Sequence, residues 1–169
     1  MAGLETVEPA AFRAAMARLA GAVTVITTDG PAGKRGMAAT AVTSVTDTPA
    51  NLLVCVNRSA RSNALIKRNG VFTVNVLSAE QEALVAVFSS PADIDPFEQP
   101  DLWFAGSTGA PVLLGSLVSL DCVLDQIVNI GTHSLFVGTV VDVVIGGMAR
   151  GLVYFDRACW PVGNQPDPA

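Results

Sequence analysis

The chain has a single histidine, His133, and no other side chain ordinarily changes charge between pH 5 and 8. One histidine cannot supply a zinc site with several histidine ligands, and it leaves a Ser-His-Asp triad with one candidate base. No serine lies in the Gly-x-Ser-x-Gly turn that exposes the nucleophile of many hydrolases. His133 is therefore a candidate catalytic residue. By residue type alone, however, a lone histidine on a strand is more often structural than catalytic.

A second candidate is the segment 57–62, Asn-Arg-Ser-Ala-Arg-Ser, which leads from an apolar stretch into a predicted helix. Free backbone N–H groups, two hydroxyls and two guanidinium groups would gather there at a helix N-terminus, which is an arrangement that binds anions. The simpler interpretation is that Ser59 or Ser62 caps the helix while the two arginines are solvated. The residue types leave both interpretations open.

A third candidate lies upstream, where small and hydroxylated residues interrupt an apolar stretch: Thr40, Ala41, Val42, Thr43 and Ser44. Small side chains let a flat ring approach the backbone, whose N–H and C=O groups can bond to the ring's polar edge. The alternative is an ordinary strand with one polar face. Together, this segment and 57–62 would form a shelf for a ring and a socket for a phosphate.

No motif indicates a metal or a Rossmann-type or P-loop nucleotide site. The glycines at 30, 33 and 36 have neither spacing and are typical of hairpin turns. The three cysteines, at 55, 122 and 159, are too widely spaced for a zinc site and too few for a disulfide framework. We therefore expect them to be reduced residues in the cytoplasm, and we expect no metal.

Composition limits the class of protein further. The 169 residues are 50% hydrophobic and 15% charged, with a mean hydropathy of +0.47, which excludes a disordered chain and predicts an apolar surface covered by a second subunit. A net charge of −5 disfavours nucleic acid as a partner. No apolar run approaches the roughly 20 residues of a membrane span, and from the N-terminal residues we expect no secretory signal.

The spacing of apolar residues predicts one domain over residues 1–169, with a core of about 10–162 and flexible ends. We predict helices from Pro9 to near Gly21, over 62–69 with Gly70 as its stop, and after the capping-box pair Ser78 and Gln81. Strands are predicted at 22–28, 36–46, 52–57 (fully buried), 71–76, 119–125 (one face buried, the other wet), 135–145 and 152–155, with a loop-rich stretch at 89–111. This order predicts a mainly β fold with flanking helices, arranged as a closed or partly closed antiparallel barrel.

The order of these segments resembles the flavin reductase family, the small reductase components of two-component flavin monooxygenases. The similarity extends from about Phe12 to Trp160. It is carried by Phe-Arg at 12–13, Gly-Ala-Val-Thr-Val at 21–25, Gly-Met-Ala-Ala-Thr-Ala-Val-Thr-Ser-Val at 36–45, Leu-Val-Cys-Val-Asn-Arg-Ser at 53–59, Ala-Pro-Val-Leu at 110–113, Leu-Asp-Cys at 120–122, Gly-Thr-His-Ser-Leu-Phe-Val-Gly at 131–138 and Leu-Val-Tyr-Phe at 152–155.

The resemblance implies an FMN-binding split β-barrel, a Greek-key-like antiparallel fold that forms a homodimer with flavin near the interface. It also implies an enzyme that reduces FMN or FAD with NADH, less often NADPH. The reduced flavin then diffuses to a separate monooxygenase.

The resemblance assigns residues as well. His133 matches the family histidine near nicotinamide and flavin, which favours a catalytic role for it. The implied flavin-binding residues are Met37, Thr40, Ala41, Val42, Thr43, Ser44, Cys55, Val56, Asn57, Ser59, Ser62, Asn63, Phe88 and Ser89. Among these, residues 40–44 would line the isoalloxazine, residues 55–57 the ribityl chain, and Ser59, Ser62 and Asn63 the phosphate.

Four positions depart from the family's usual residues. Thr132 replaces an acidic residue, Val87 an arginine, Pro96 a lysine and Cys159 a tyrosine. These departures concern contacts to phosphate and nicotinamide rather than the fold.

Two other functions fit the same type of barrel. One is an oxidase of the pyridoxamine-phosphate type that keeps its flavin, although basic residues beyond Arg58 and Arg61 are scarce for a phosphate-bearing substrate. The other is a non-enzymatic module that binds flavin or haem.

Overall fold

A computed structural model describes residues 5–90 and 96–163. Its α-helices are α1 (Pro9–Met16), α2 (Arg61–Asn69) and α3 (Ala83–Ser89). Its strands are β1 (Gly21–Ala22), β2 (Thr24–Thr28), β3 (Arg35–Ala39), β4 (Val42–Asp47), β5 (Ala50–Asn57), β6 (Val71–Val76), β7 (Trp103–Ala105), β8 (Pro111–Leu113), β9 (Val118–Ile130), β10 (His133–Ile145), β11 (Gly151–Phe155) and β12 (Ala158–Val162). Single 3₁₀ turns cover Ala79–Gln81 and Pro100–Leu102.

The main sheet is antiparallel and has seven strands in the order β3-β2-β6-β9-β10-β5-β4. A three-stranded sheet, β1-β11-β12, and the two-stranded ribbon β7-β8 accompany it. The mainly β fold with flanking helices is thus confirmed. The described strands do not close into a barrel, however, because β3 and β4 are the two edges of the main sheet and do not pair with each other.

The two edges nevertheless come close together at one corner. Only Thr40 and Ala41 separate β3 from β4, so the two strand ends lie within about 11 Å of each other. A hydrogen bond of 3.1 Å from the Val42 N–H to the Thr40 carbonyl closes a tight turn there. The prediction of one strand over 36–46 was therefore wrong, because the chain bends at Thr40–Ala41 and crosses from one edge of the curled sheet to the other.

The interior of the curled sheet holds one apolar core, centred on Phe72, Phe136 and Ile66 of α2. A second core, which includes Val25, Leu77 and Leu152, packs beneath α3. Helix α2 ends as predicted, since Gly70 adopts the left-handed conformation with φ of 70°. The predicted capping-box contact is also present, with the Ser78 N–H donating to Gln81 Oε1 at 3.1 Å.

Strand β5 was predicted to be buried on both faces, but its burial alternates. Leu52, Val54 and Val56 enter the core, whereas Leu53 and Cys55 are only half-buried. The outer face of β5 borders an open cavity, which is why apolar residues there are not fully covered.

The prediction that one face of β9 is exposed to solvent was wrong at Ser119 and Asp121. Ser119 and Asp121 are 1% and 2% exposed, because Ser119 bonds to Asn75 and Ser116 and the turn between β7 and β8 covers Asp121. The Asp121 carboxylate accepts hydrogen bonds from Thr73 Oγ1 at 2.9 Å and from the Thr108 N–H and Oγ1, both at 2.7 Å. Its burial is thus compensated by three donors.

The ends differ in part from expectation. Helix α1 stops at Met16 rather than near Gly21, and β12 was not predicted. The predicted flexible ends fall largely on residues 1–4 and 164–169, and part of the loop-rich stretch falls on residues 91–95. These three segments lie outside the described residues.

Candidate functional site

An open cavity with a volume of about 900 Å³ lies between α1 and the β4 edge of the main sheet. Its floor is formed by the Thr40–Ala41 connection with Val42, Thr43, Leu53 and Cys55. The remaining wall is formed by Phe12, Arg13, Met16, Ala17, Leu19, Ala20, Gly21, Ala22, Tyr154 and Arg157. A volume of this size is at the upper end for small-molecule and cofactor sites.

The structure brings most of the predicted shelf into this cavity. Thr43 lies opposite Leu53 in the β4–β5 pair, so both side chains share the face that also carries Cys55. The Cys55 N–H donates to the Ala41 carbonyl at 3.0 Å, which fixes the connection against β5. Of the five shelf residues, only Ser44 does not line the cavity.

The shelf also offers backbone groups. Because β4 is an edge strand, one row of its N–H and C=O groups has no strand partner in the described sheet. The opposite wall is close at this point, since a Cβ on Gly21 would lie 3.2 Å from the carbonyl oxygen of Thr40. This part of the cavity is thus narrow and lined by backbone, as a flat ring with a hydrogen-bonding edge would require.

A polar cluster continues along the same face. His133 lies opposite Asn57, and Leu135 opposite Cys55, so the exposed histidine is one same-face step beyond the cavity floor, about 7 Å along the strand. Asn57 Oδ1 accepts hydrogen bonds of 2.9 Å from both the N–H and the hydroxyl of Ser59. Thr132 Oγ1 is 2.9 Å from His133 Nδ1.

The β9–β10 turn is held against this cluster. The Arg58 N–H donates to the Thr132 carbonyl at 2.9 Å, and the Arg58 guanidinium is 3.4 Å from the Gly131 carbonyl. The cap of α2 is Ala60, with no side-chain cap, so capping by Ser59 or Ser62 was a wrong alternative. Ser59 is exposed and remains available to a ligand.

Other predicted flavin contacts are buried elsewhere. The Ser62 hydroxyl contacts Met37 Sδ at 2.9 Å, and Asn63 Nδ2 donates to the Val56 carbonyl at 3.2 Å. Ser62, Asn63 and Val56 are at most 4% exposed, and Met37 packs on the core. These contacts join α2 to β3 and β5, and none of the four residues lines the cavity.

Phe88 and Ser89, at the end of α3, also lie outside the cavity of about 900 Å³. Ser89 lines a smaller cavity of about 260 Å³, which shares Thr40 and Tyr154 with the large one. Phe88 is buried against Phe97 and Trp103, with ring centroids 5.9 and 5.7 Å away.

The four positions that depart from the family pattern lie in different parts of the structure. Thr132 contacts His133, whereas Val87 is 42% exposed. Pro96 is a half-buried turn residue and Cys159 packs against the second core. None of the last three lines the large cavity.

Sequence reasoning missed the wall formed by α1 and the β11–β12 turn. Phe12 and Met16 recur at helical spacing but are 56% and 46% exposed, because they face the cavity rather than the core. The sequence signal was an apolar helix stripe beside the pair Phe12–Arg13. Tyr154 and Arg157 gave no local signal, since their place depends on the fold of the β11–β12 hairpin.

Among the described residues, no group of three or more His, Cys, Asp or Glu side chains could hold a metal ion. Burial and the neighbouring Asp121 charge raise the pKa of the Cys122 thiol to about 12. Burial, with a smaller contribution from Glu82, also raises the pKa of Cys159.

Comparison with known proteins identifies the family. The model of the flavin reductase like domain matches residues 16–162, which include both cavities' strands and the His133 cluster. The chain belongs to the flavin reductase-like family. The family resemblance seen in the sequence is thus confirmed.

Members of the flavin reductase-like family are similar to the chain over nearly its whole length. It is 46% identical over 151 residues to the FMN reductase (NADH) RutF of Serratia proteamaculans, covering 89% of this chain and 86% of that protein. BorF, the flavin reductase component of a bacterial two-component tryptophan halogenase, has a TM-score of 0.87 at 30% identity, covering 94% of this chain and all of that one. An NADH:FAD oxidoreductase of Streptomyces globisporus, solved with NAD and FAD fragments, has a TM-score of 0.84 at 27% identity, covering 98% and 100%.

Proposed function

We propose that the chain is an NADH-dependent flavin reductase that acts on FMN and releases reduced flavin to a separate monooxygenase. The observation that carries the proposal is the cavity of about 900 Å³, floored by an edge strand of small residues, in a chain of the flavin reductase-like family. The similar Serratia protein is named an FMN reductase (NADH), and BorF is the reductase component of a two-component system. These similarities favour the reductase over an oxidase or a storage module.

The residues of the floor suit the flavin ring. Thr40–Thr43 offer small side chains and unpaired edge-strand groups that can hydrogen-bond the pyrimidine edge of the isoalloxazine. Asn57 and Ser59 lie farther along the same face, which supports their assignment to the ribityl and phosphate groups. The flavin phosphate would thus lie at the start of α2.

The flavin supplies the redox chemistry: it accepts a hydride from the dihydronicotinamide of NADH and one proton from solvent, leaving NAD⁺ and reduced flavin. The chain's part is mainly to hold both molecules in place. Backbone donors of the β4 edge stabilise negative charge that develops on the pyrimidine edge. His133, exposed at the end of the floor, orients the nicotinamide, and the transfer requires no general base.

A steady-state assay tests this function. The purified chain is mixed with NADH and FMN, FAD or riboflavin, and absorbance is followed at 340 nm under nitrogen. We expect turnover with a higher kcat/KM for FMN than for FAD, and for NADH than for NADPH. No NADH oxidation with any flavin would contradict the proposal.

We further assign the chain to a homodimer that completes the split β-barrel. The hairpin of β9 and β10 carries large apolar side chains that are 37% to 80% exposed: Val123, Ile127, Val128, Ile130, Val141, Val143, Val144 and Ile145. Large apolar side chains exposed in this number on one hairpin are typical of a protein interface, and a second copy is the occupant that fits a chain half of whose residues are apolar.

Sedimentation tests the dimer. Replacing Val123 and Val143 by Asp should produce monomers at micromolar concentration, since two carboxylates would be buried. The matched control is Leu114→Asp, which changes a residue 58% exposed outside the hairpin and should remain dimeric. A monomeric wild-type protein with full activity would contradict the assignment.

We place the reaction in the cytoplasm, a proposal supported by three free cysteines. Within residues 5–90 and 96–163, no helix has the length and apolar character needed to cross a membrane.

A further inference from the structure

Two arginines border the large cavity on the wall opposite the shelf. Arg13 comes from the last turn of α1, and Arg157 from the turn between β11 and β12. The residues that line this cavity include no aspartate or glutamate. A chain with a net charge of −5 therefore carries two uncompensated positive charges at one opening.

The two arginines are not occupied by other parts of the protein. Across the described ranges, neither Arg13 nor Arg157 has an ion pair or a side-chain hydrogen bond. The nearby Arg18, in contrast, pairs with Asp156 at 3.6 Å. Because the cavity walls around them are mostly apolar, the field of the two guanidinium groups is directed into the cavity.

The elements that carry Arg13 and Arg157 are hydrogen-bonded to each other. The Asp156 N–H donates to the Ala17 carbonyl at 2.7 Å, so the β11–β12 turn and the end of α1 are held together. Asp156 and Arg157 have φ angles of 47° and 68°, a left-handed pair that usually contains Asn or Gly. The left-handed region disfavours an arginine because of its Cβ, and such strain is concentrated at functional positions.

We propose that Arg13 and Arg157 bind the pyrophosphate of the dinucleotide hydride donor. This inference rests on the proposed function and adds to it the subsite for the charged part of NADH. Two guanidinium groups match the two negative charges of a pyrophosphate. The proposed position of the flavin phosphate is at Asn57–Ser59, beyond the cavity floor, so the two anions would not compete.

The test uses two hydride donors. NADH carries the pyrophosphate, whereas 1-benzyl-1,4-dihydronicotinamide delivers a hydride without any phosphate. For Arg13→Gln and Arg157→Gln, we expect the KM for NADH to rise about 10-fold each and up to about 100-fold together, with kcat changed less. The kinetics with the benzyl donor should be unchanged. Arg68→Gln, on α2 and outside the cavity, is the matched control and should be normal with both donors.

Three outcomes would overturn the inference. Equal losses with both donors would indicate a structural role. Losses with FMN but not with riboflavin as acceptor would assign the arginines to the flavin phosphate. An unchanged KM for NADH in the double variant would leave them with no part in binding.

A binding measurement separates this inference from the proposed function. Calorimetry with ADP-ribose, which keeps the pyrophosphate and lacks the nicotinamide, needs no turnover. Weaker binding to the double variant than to Arg68→Gln would support the subsite even in a chain that reduced no flavin. Equal binding to wild type and double variant would overturn it even in an active reductase.

Discussion

His133 lies directly opposite Asn57 in the β5–β10 pair, and Asn57 holds Ser59 through two hydrogen bonds of 2.9 Å. Three different polar groups, an imidazole, an amide and a hydroxyl, therefore lie together just beyond one end of the cavity floor. Because all three are exposed, they can contact a ligand without a change in the core.

The first prediction concerns His133. Replacing it with Ala should lower kcat/KM for NADH by about 10- to 100-fold, the effect of one positioning contact, and leave the Kd for flavin nearly unchanged. The melting temperature should be unchanged, since among the described residues the imidazole is hydrogen-bonded only to the adjacent Thr132. Thr132→Val, which removes that contact and keeps the imidazole, is the control and should have a smaller effect. Normal NADH kinetics in a destabilised protein would make His133 structural.

The second prediction separates two serines. Ser59→Ala should weaken the binding of FMN by about 1–3 kcal/mol and leave the binding of riboflavin unchanged, because a hydroxyl that can reach the phosphate is lost. Ser62→Ala should affect both flavins alike, since its hydroxyl contacts Met37 inside the protein. Fluorescence titration of each variant with each flavin measures the difference. If Ser59→Ala weakened riboflavin as much as FMN, the phosphate assignment would fail.

The third prediction concerns the buried carboxylate of Asp121. Asp121→Ala should lower the free energy of unfolding by about 3 kcal/mol, because Thr73 and Thr108 lose their acceptor inside the protein. Asp125→Ala, at an exposed position of the same strand, should change it by no more than about 0.5 kcal/mol. Urea denaturation measures both. Similar values for the two variants would show that the Asp121 network contributes little.

The fourth prediction concerns thiol reactivity. With its pKa raised to about 12, Cys122 should not react with iodoacetamide between pH 7 and 9 until the protein unfolds. Cys55 lines the cavity, so we expect it to be modified first and FMN to slow the modification. Peptide mass spectrometry identifies the modified residue, and Cys55→Ser is the control. Labelling of Cys122 in the native protein would contradict the prediction.

Residues close together in the sequence determined where two of the helical segments begin or end. Lys67 and Arg68 before Gly70 specify the end of α2, and Ser78 with Gln81 specifies a helix start, since these contacts join residues within one turn. The alternation of apolar residues determined the mainly β class. The motif order was enough to identify the family. Small side chains alone pointed to residues 40–44 as a candidate, with an ordinary strand as the alternative, and all of these residues except Ser44 line the cavity.

Tertiary structure decided which residues share a surface. The bend at Thr40–Ala41 was not predictable, because the β-branched pattern continues through it and only the edge positions of β3 and β4 require it. Asp121 alternates like a solvent-exposed residue, and only a turn 13 residues away along the chain buries it. Arg13 and Arg157 meet at one cavity through a backbone bond between α1 and a distant hairpin. Such long-range contacts depend on the packing of whole elements, and no local pattern of residues records them.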